Sequence, residues 1–413
     1  MDPNHGKTVL FKNDMRSKKK LKLSYVFLFL LCNFFHSPLK GQDSLKITST
    51  FIGLDFDSAE LSQMKPTVAA QLLKVNTLQR QDIPNNIPLG LIWIPPVNHS
   101  RISNKQSIID WALPTNVPLP KDRGKLAFYP VSELAYLIKN RQITSLELTQ
   151  LFLNRLKKYG DTLQCVITIT DSLALSQAQR ADIEIKQGIY RGPLHGIPYG
   201  AKDLLNVAGY KTTWGATPFK SQVFSKNAEI INRLEAAGAV LVAKLTLGAL
   251  AWGDVWYGGK TRNPWNLEQG SSGSSAGSAS ATVAGLVPFA IGSETRGSIV
   301  SPSTRCGATG LRPTFGRISK NGAMALSWTM DKLGPICRNA LDCALVFEAI
   351  RGTDRKDLSV RDAPFNYHYD NKIKTLRIGV LTDDQNPNFY SKNDQNTLLL
   401  LKSKGYDLVE KTL

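Results

Sequence analysis

The stretch that decides the fold is a glycine- and serine-rich loop, an apolar run and a second turn of small residues. It reads Gly270-Ser-Ser-Gly-Ser-Ser-Ala-Gly-Ser278, then an apolar segment at 286–291, then Gly292-Ser-Glu-Thr-Arg-Gly-Ser298-Ile. The apolar segment predicts a buried strand. Glycine and serine let the flanking backbone turn tightly and point successive N–H groups at a ligand. The pattern is typical of an anion or oxyanion site.

Alternating helices and short strands surround this stretch. Apolar residues recur at helical spacing in 131–139 and 145–158, with Thr144 and Ser145 as candidate caps. A strand at 166–170, an alanine-rich helix at 172–187, a helix at 228–238 and a strand at 239–243 follow in order. This order predicts an α/β fold.

About a third of the net positive charge comes from the amino terminus. The net charge is +18, but residues 1–41 hold eight Lys or Arg and two Asp and contribute +6 of it. The other basic residues are scattered, with no basic run interleaved with aromatics, which indicates a solvated surface and no nucleic-acid partner. The serine-rich loop also lacks the Gly-Lys-Ser/Thr of a P-loop and the G-x-G-x-x-G of a dinucleotide site, so nucleotide binding is not supported.

The amino terminus has the pattern of a signal peptide. Four lysines within 18–22 precede an apolar run at 25–35, and small and polar residues follow to Gln42. The run is short against the roughly 20 residues of a membrane helix, so cleavage near Gly41 and export to the periplasm or medium are expected, without a stable membrane anchor. Cys32 allows a lipoprotein alternative, although no small residue stands just before it.

Three regions are predicted: a signal peptide at 1–41, a polar, partly proline-rich accessory extension at 42–125 with a helical stretch near 67–75, and a main domain at 126–413. Four cysteines remain after the leader, without a C-x-x-C pair or a His cluster at metal spacing. No metal or cofactor is expected, and buried free thiols are the simplest prediction for these cysteines.

Two serine chemistries compete for the central loop. The segment from Gly273 to Gly277 matches the G-x-S-x-G nucleophile elbow around Ser275, but the preceding residues are polar where that elbow follows an apolar strand. Beyond the leader only His99, His195 and His368 could serve as its base, and only His368 lies downstream of the loop. A lysine is the alternative base when burial lowers its pKa, and Lys202 is the natural candidate.

From about residue 126 to residue 413, the chain resembles the amidase signature family. The resemblance rests on Gly192-Pro-Leu-His-Gly-Ile-Pro-Tyr-Gly-Ala-Lys-Asp203, Asn263-Pro-Trp-Asn266, the two turns quoted above and Gly310-Leu-Arg-Pro-Thr-Phe-Gly-Arg317. It implies one core with a mixed β-sheet flanked by helices on both faces. It also implies Ser298 as nucleophile, Ser274 as a bridging serine held by a cis peptide bond, and Lys202 as base.

The implied reaction is hydrolysis of a small or peptide-derived carboxamide through an acyl-enzyme on Ser298, with no cofactor and no partner subunit. The resemblance assigns the oxyanion contacts to the backbone N–H groups of Thr295, Arg296, Gly297 and Ser298. Two alternatives stay open, both within the same fold. One is an A-type subunit of the glutamine-dependent aminoacyl-tRNA amidotransferase, and the other is an inactive relative.

Three departures from the family pattern bear on activity. Arg296 stands where a small residue is common, and Val300 where arginine is frequent. After a predicted strand at 376–381 and a helix near 396–404 the sequence stops at Leu413, earlier than in family members. The main domain is therefore expected to be truncated at its carboxyl end.

Overall fold

The structure, a computed structural model, describes residues 41–81, 87, 105–367, 377–382 and 391–412. The predicted signal peptide with Cys32 lies outside these residues, apart from Gly41, and so do His99 and His368. The chain divides into two compact units, Met1–Ile83 and Pro84–Leu413. The predicted boundaries at residues 41 and 125 stay predictions.

Within its described residues, the first unit contains two helices, α1 (Gly41–Phe51) and α2 (Ser58–Gln79). Helix α2 is longer than the stretch predicted at 67–75, because Asp57 caps it: its carboxylate accepts the N–H groups of Ala59 at 2.8 Å and Glu60 at 2.9 Å. None of the helices in the part of the chain that the structure describes has the length and apolarity needed to cross a bilayer.

The second unit is built of eight α-helices and twelve strands within the described residues. The helices are α3 (Val131–Lys139), α4 (Ser145–Leu163), α5 (Asp171–Lys186), α6 (Glu229–Ala236), α7 (Ala276–Val283), α8 (Val300–Cys306), α9 (Ala340–Ile350) and α10 (Lys392–Ser403). The strands are β1 (Val166–Ile169), β2 (Pro198–Lys202), β3 (Val240–Leu245), β4 (Val255–Trp256), β5 (Gly259–Lys260), β6 (Arg262–Asn263), β7 (Asn266–Gly270), β8 (Phe289–Glu294), β9 (Thr309–Gly310), β10 (Lys332–Cys337), β11 (Arg377–Thr382) and β12 (Asp407–Thr412).

Six of these strands form the central sheet in the order β1-β3-β2-β8-β10-β9. Strand β2 runs parallel to both of its neighbours, β3 and β8, whereas β1, β10 and β9 pair in antiparallel fashion. The sheet is therefore mixed, and the predicted α/β class is confirmed.

Both faces of the sheet are covered by helices. Successive residues of a strand point to opposite faces. Leu241 of β3 accordingly packs in a cluster with Phe289 and residues of α3, α6 and α9, while Val240 and Val242 pack in a second cluster with residues of α4 and α5. Burial on both sides explains why β2, β3 and β8 consist of apolar or small residues apart from Lys202, Lys244 and Glu294.

Local chemistry accounts for most element boundaries. Thr144 caps α4 in a capping box with Glu147, as its position predicted. The strand predicted at 286–291 instead spans Phe289–Glu294. The Leu286 N–H is bound to the carbonyl of Ala281 in the closing turn of α7, and Pro288 has no N–H to offer a sheet.

The carboxyl-terminal part forms a β-α-β unit. Strands β11 and β12 pair in parallel, with α10 between them in the sequence. The strand and the helix predicted there are confirmed, and each lies within a few residues of its expected bounds.

Candidate active site

The candidate site lies at the carboxyl ends of two neighbouring parallel strands. Because β2 and β8 pair in parallel, their carboxyl ends meet at one edge of the sheet. Lys202 is the last residue of β2, and β8 ends at Glu294, directly before the turn that leads to Ser298. The crevice outside such strand ends is the usual ligand site of open α/β sheets.

Lys202 is enclosed by serines and is 0% exposed. Its Nζ lies 2.8 Å from Oγ of Ser274, 3.0 Å from Oγ of Ser275 and 2.9 Å from Oγ of Ser293. A fourth contact of 3.3 Å joins Nζ to the carbonyl oxygen of Ser293. Every one of these partners is neutral, so none of them compensates an ammonium charge directly.

Burial lowers the pKa of Lys202 well below its ordinary value, since an ammonium ion loses its hydration in the interior. The carboxylates of Asp331 and Glu294 act in the opposite direction but do not outweigh burial. A neutral amine carries a lone pair and can therefore accept a proton from the adjacent Ser274 hydroxyl. The surroundings of Lys202 suit a general base.

The serine-rich loop brings Ser274 against this amine. The peptide bond between Gly273 and Ser274 is cis, as the family resemblance implied. A Cβ atom on Gly273 would lie 1.8 Å from the carbonyl oxygen of Gly253, so only glycine fits there. Ser274 is 1% exposed and α7 begins two residues later, which anchors the loop on the core.

Ser298 is held beside these groups through its backbone. The N–H of Ser275 donates to the carbonyl of Ser298 at 3.0 Å, joining the serine-rich loop to the turn. Ser298 is 8% exposed and is the member of the predicted triad nearest to solvent. In the described structure no hydrogen bond links the hydroxyls of Ser274 and Ser298. Lys202 and Ser274 are thus in direct contact, and Ser298 is a neighbour.

Glu294 holds the turn at residues 295–298 in place. Its carboxylate, 1% exposed, accepts the N–H groups of Ile299 at 2.9 Å and Val300 at 3.1 Å, just beyond the turn. Burial raises the pKa of Glu294, but these two N–H donors, the N–H of Gly297 and the nearby Arg312 guanidinium together hold the pKa below its ordinary value. The Glu294 carboxylate is therefore ionised, and it fixes the backbone at the end of the turn.

The turn accommodates Arg296, a residue that departs from the family pattern. Gly297 has a φ of 84°, in the left-handed region that glycine adopts most readily. Arg296 is exposed, so its bulk falls outside the packed interior. The backbone N–H of Gly297 faces the Glu294 carboxylate.

Sequence reasoning missed three residues of this site. Ser293 touches Lys202 directly, and Ser275, weighed only as a competing nucleophile, also binds it. Ser275 is 0% exposed and donates to the Ser293 carbonyl at 3.0 Å, which does not suit the exposed serine of a nucleophile elbow. The third, Asp331, lies far from the other site residues in sequence, and no motif marked it.

Two neighbouring polar residues have structural roles. Asp203 pairs with Lys244 at 2.5 Å, and both are 0% exposed, so the carboxylate next to Lys202 is occupied by another cation. His195 is buried and its Nε2 lies 3.0 Å from Glu184. It precedes β2, at the edge of the sheet opposite to Lys202. The four described cysteines are free and buried, as predicted.

Comparison with known proteins gives a consistent result. The family model described as Amidase matches residues 147–413. The A-type subunit of the glutamyl-tRNA(Gln) amidotransferase of Methylococcus capsulatus is 39% identical over 256 residues, 60% of this chain and 53% of that protein. Its counterpart in Dehalococcoides mccartyi is 39% identical over 250 residues, 59% of this chain and 51% of that protein.

Solved structures show the same similarity. The native peptide amidase of Stenotrophomonas maltophilia superposes with a TM-score of 0.64 at 33% identity, covering 70% of this chain and 63% of that one. An amidase family protein of Bacillus anthracis gives a TM-score of 0.63 at 29% identity over 70% and 61%. The chain spans about half the length of the curated relatives it matches.

Proposed function

The chain belongs to the amidase family, and from this membership we propose that it hydrolyses a carboxamide C–N bond through an acyl-enzyme on Ser298. The substrate is a small or peptide-derived amide, and turnover requires neither a cofactor nor partner subunits. The observation that carries the proposal is the buried Lys202 amine with its lowered pKa, 2.8 Å from the Ser274 hydroxyl.

The proposed relay follows from this contact. Neutral Lys202 accepts the Ser274 proton while Ser274 takes the proton of Ser298, whose oxygen attacks the carbonyl carbon. Backbone N–H groups of the turn at 295–298 stabilise the oxyanion of the tetrahedral intermediate. The relayed proton passes to the leaving nitrogen, and water then cleaves the acyl-enzyme by the same route. Formation of the Ser274–Ser298 hydrogen bond is required when substrate binds.

A serine-directed fluorophosphonate tests the assignment. We expect wild type to be labelled on Ser298, and both Ser298→Ala and Lys202→Ala to lose labelling by at least about 100-fold, because the nucleophile or its base is gone. Ser301→Ala is the matched control, since this exposed serine follows the turn closely and its hydroxyl binds that of Ser272, outside the triad. It should label at the wild-type rate. A folded but unlabelled wild type would establish the inactive alternative.

An amidotransferase A-type subunit is the second candidate, favoured by the 39% identity to two such subunits. It predicts that hydrolysis of glutamine amide depends on added partner subunits. Release of ammonia from simple carboxamides by the purified chain alone would decide for the self-sufficient amidase. Dependence on the partners would decide against it.

We also propose that the chain is exported, on the basis of the basic and apolar pattern at 18–42. Amino-terminal sequencing of the mature protein from a secreting host is expected to begin near Gln42. Recovery of the uncleaved chain from the cytosol would overturn export, and lipid on Cys32 would support the lipoprotein alternative.

A further inference from the structure

An exposed apolar loop, residues 326–330, lies just before β10. Leu326, Trp328 and Met330 alternate along it, and all three side chains are exposed. The apolar loop is closed by its own backbone, because the N–H groups of Met330 and Asp331 donate to the carbonyl of Ser327 at 3.2 and 2.9 Å. It is thus an ordered turn that presents apolar side chains to solvent.

One carboxylate ties the apolar loop to the turn at 295–298. Asp331 is 8% exposed, and its Oδ2 accepts the N–H groups of Leu326 at 2.7 Å and Ser327 at 3.0 Å. Its other oxygen, Oδ1, accepts the hydroxyl of Thr295 at 2.5 Å. The apolar loop and the turn therefore share a single anchor.

Thr295 is also held from its backbone side. The Nζ of Lys332, the residue after Asp331, donates to the Thr295 carbonyl at 3.0 Å. This arrangement follows from the sheet, since Lys332 pairs with Glu294 in the β10–β8 register. Asp331 and Lys332, the first residue of β10, thus bind the side chain and the carbonyl of Thr295, which restricts how the peptide groups of the turn can rotate.

A small cavity of about 60 Å³ lies beside the apolar loop. Trp328, Met324 and Leu333 line it together with Asp331 and Ser293. Ser293 is the residue whose hydroxyl contacts Lys202 at 2.9 Å. A second cavity, of about 740 Å³, also has Met324 in its lining.

We propose that Asp331 is a positioning residue that couples an apolar acyl-binding loop, with Trp328 as its specificity-determining side chain, to the N–H groups of the turn at 295–298. This inference rests on the proposed function. The substrate class it names is a carboxamide with an apolar acyl group. Contact with such a group removes apolar surface of Trp328 from water, which favours binding. The bound acyl group thereby holds the apolar loop, and the loop keeps Asp331 and Thr295 in the geometry that the oxyanion requires.

The test uses the full chain and two alkyl fluorophosphonates that differ in chain length, methyl and octyl. Their labelling rates report on the same oxyanion geometry without a known substrate. Wild type is expected to react about tenfold faster with the octyl compound, the equivalent of roughly two buried methylene groups. Trp328→Ala should abolish this preference by slowing the reaction with the octyl compound about tenfold.

Asp331→Asn is expected to slow both probes about tenfold, because an amide cannot accept the same three hydrogen bonds. The charged groups that face Lys202 are Asp331 and Glu294. Because the Asp331 charge raises the pKa of Lys202, its loss should lower that pKa. The acidic limb of the rate–pH profile should therefore move to lower pH. Thr295→Val should slow both probes as well, and adding it to Asp331→Asn should cause little further loss.

Asp342→Asn is the matched control. Asp342 is likewise a buried carboxylate that accepts two backbone N–H groups, those of Val131 and Ser132, but it contacts no residue of the turn. The inference is overturned if Asp331→Asn and Thr295→Val label at the wild-type rate, if Trp328→Ala keeps the chain-length preference, or if Asp342→Asn causes the same loss and pH shift. A wild type that reacts with neither probe would instead contradict the proposed function.

Discussion

At the scale of single residues, the chemistry depends on where one lysine is buried. Lys202 would be an ordinary cation on a surface, but at the end of β2 it is fully buried among three serine hydroxyls. Lys244 on the neighbouring strand β3 shows the contrast. It is equally buried, and burial lowers its pKa as well, but the paired Asp203 carboxylate acts in the opposite direction. A neutral environment, more than burial alone, distinguishes the proposed base.

The lowered pKa of Lys202 predicts a pH dependence of stability. The unfolded chain holds a proton on this lysine up to about pH 10.4, whereas the folded chain releases it at a lower pH. Between these two pKa values the unfolded state binds one more proton, so the free energy of unfolding should rise with pH by about 1.4 kcal/mol per pH unit. Urea unfolding of wild type and Lys202→Met across this window measures the difference in slope. The same slope of unfolding free energy against pH in both proteins would contradict this prediction.

At the scale of elements, the site depends on close packing of loops that glycine permits. The serine-rich loop passes the carbonyl of Gly253 at a distance that leaves no space for a side chain on Gly273. The same loop is bound to the turn through Ser275 and Ser298 and leads into α7. The serine-rich loop, the segment at Gly253 and the turn at 295–298 are thereby held in one arrangement around Lys202.

Gly273→Ala is expected to abolish fluorophosphonate labelling, because the added methyl group would overlap the Gly253 carbonyl and displace Ser274 from Lys202. Gly379→Ala is the control: Gly379 lies in β11 and has no atom within 4 Å of the position of an added Cβ. It should label normally. Equal labelling of the two variants would show that the close approach does not control the position of Ser274.

At the scale of the whole molecule, the second unit is stabilised by apolar clusters on the two faces of one mixed sheet. Phe289 of β8 stacks on Tyr199 of β2 with ring centroids 5.4 Å apart, and both side chains are buried. These two strands carry the site at their carboxyl ends. Packing in the middle of the sheet therefore supports the geometry at its edge.

Phe289→Ala is expected to lower the free energy of unfolding by about 3 to 5 kcal/mol, since it removes a fully buried ring and leaves a cavity. Phe51→Ala removes the same ring where it is 90% exposed, and should change stability by less than about 0.5 kcal/mol. Urea titration followed by circular dichroism measures both. Similar losses in the two variants would contradict the central role of the sheet.

The sequence predicted the α/β class and most elements because helical periodicity, caps and apolar runs are local properties of the chain. Thr144 and the alternation of helices with strands were sufficient for that. The family motifs also identified Lys202, Ser274 and Ser298, whose roles remain proposals. These motifs are recognisable because tight turns around a reactive serine require glycine and other small residues. The bounds of β8 were predicted three residues too early, since the end of α7 takes up the N–H of Leu286.

Only the tertiary structure decided which polar groups surround the base and what holds the turn. Ser293 and Glu294 end β8 and Asp331 directly precedes β10, and the antiparallel pairing of these strands is a long-range property that no local pattern encodes. The lowered pKa of Lys202 likewise arises from burial by residues far away in sequence. The chain itself specified the reactive side chains, and the folded sheet determined their distances, charges and neighbours, because these depend on contacts between segments that composition and periodicity do not relate.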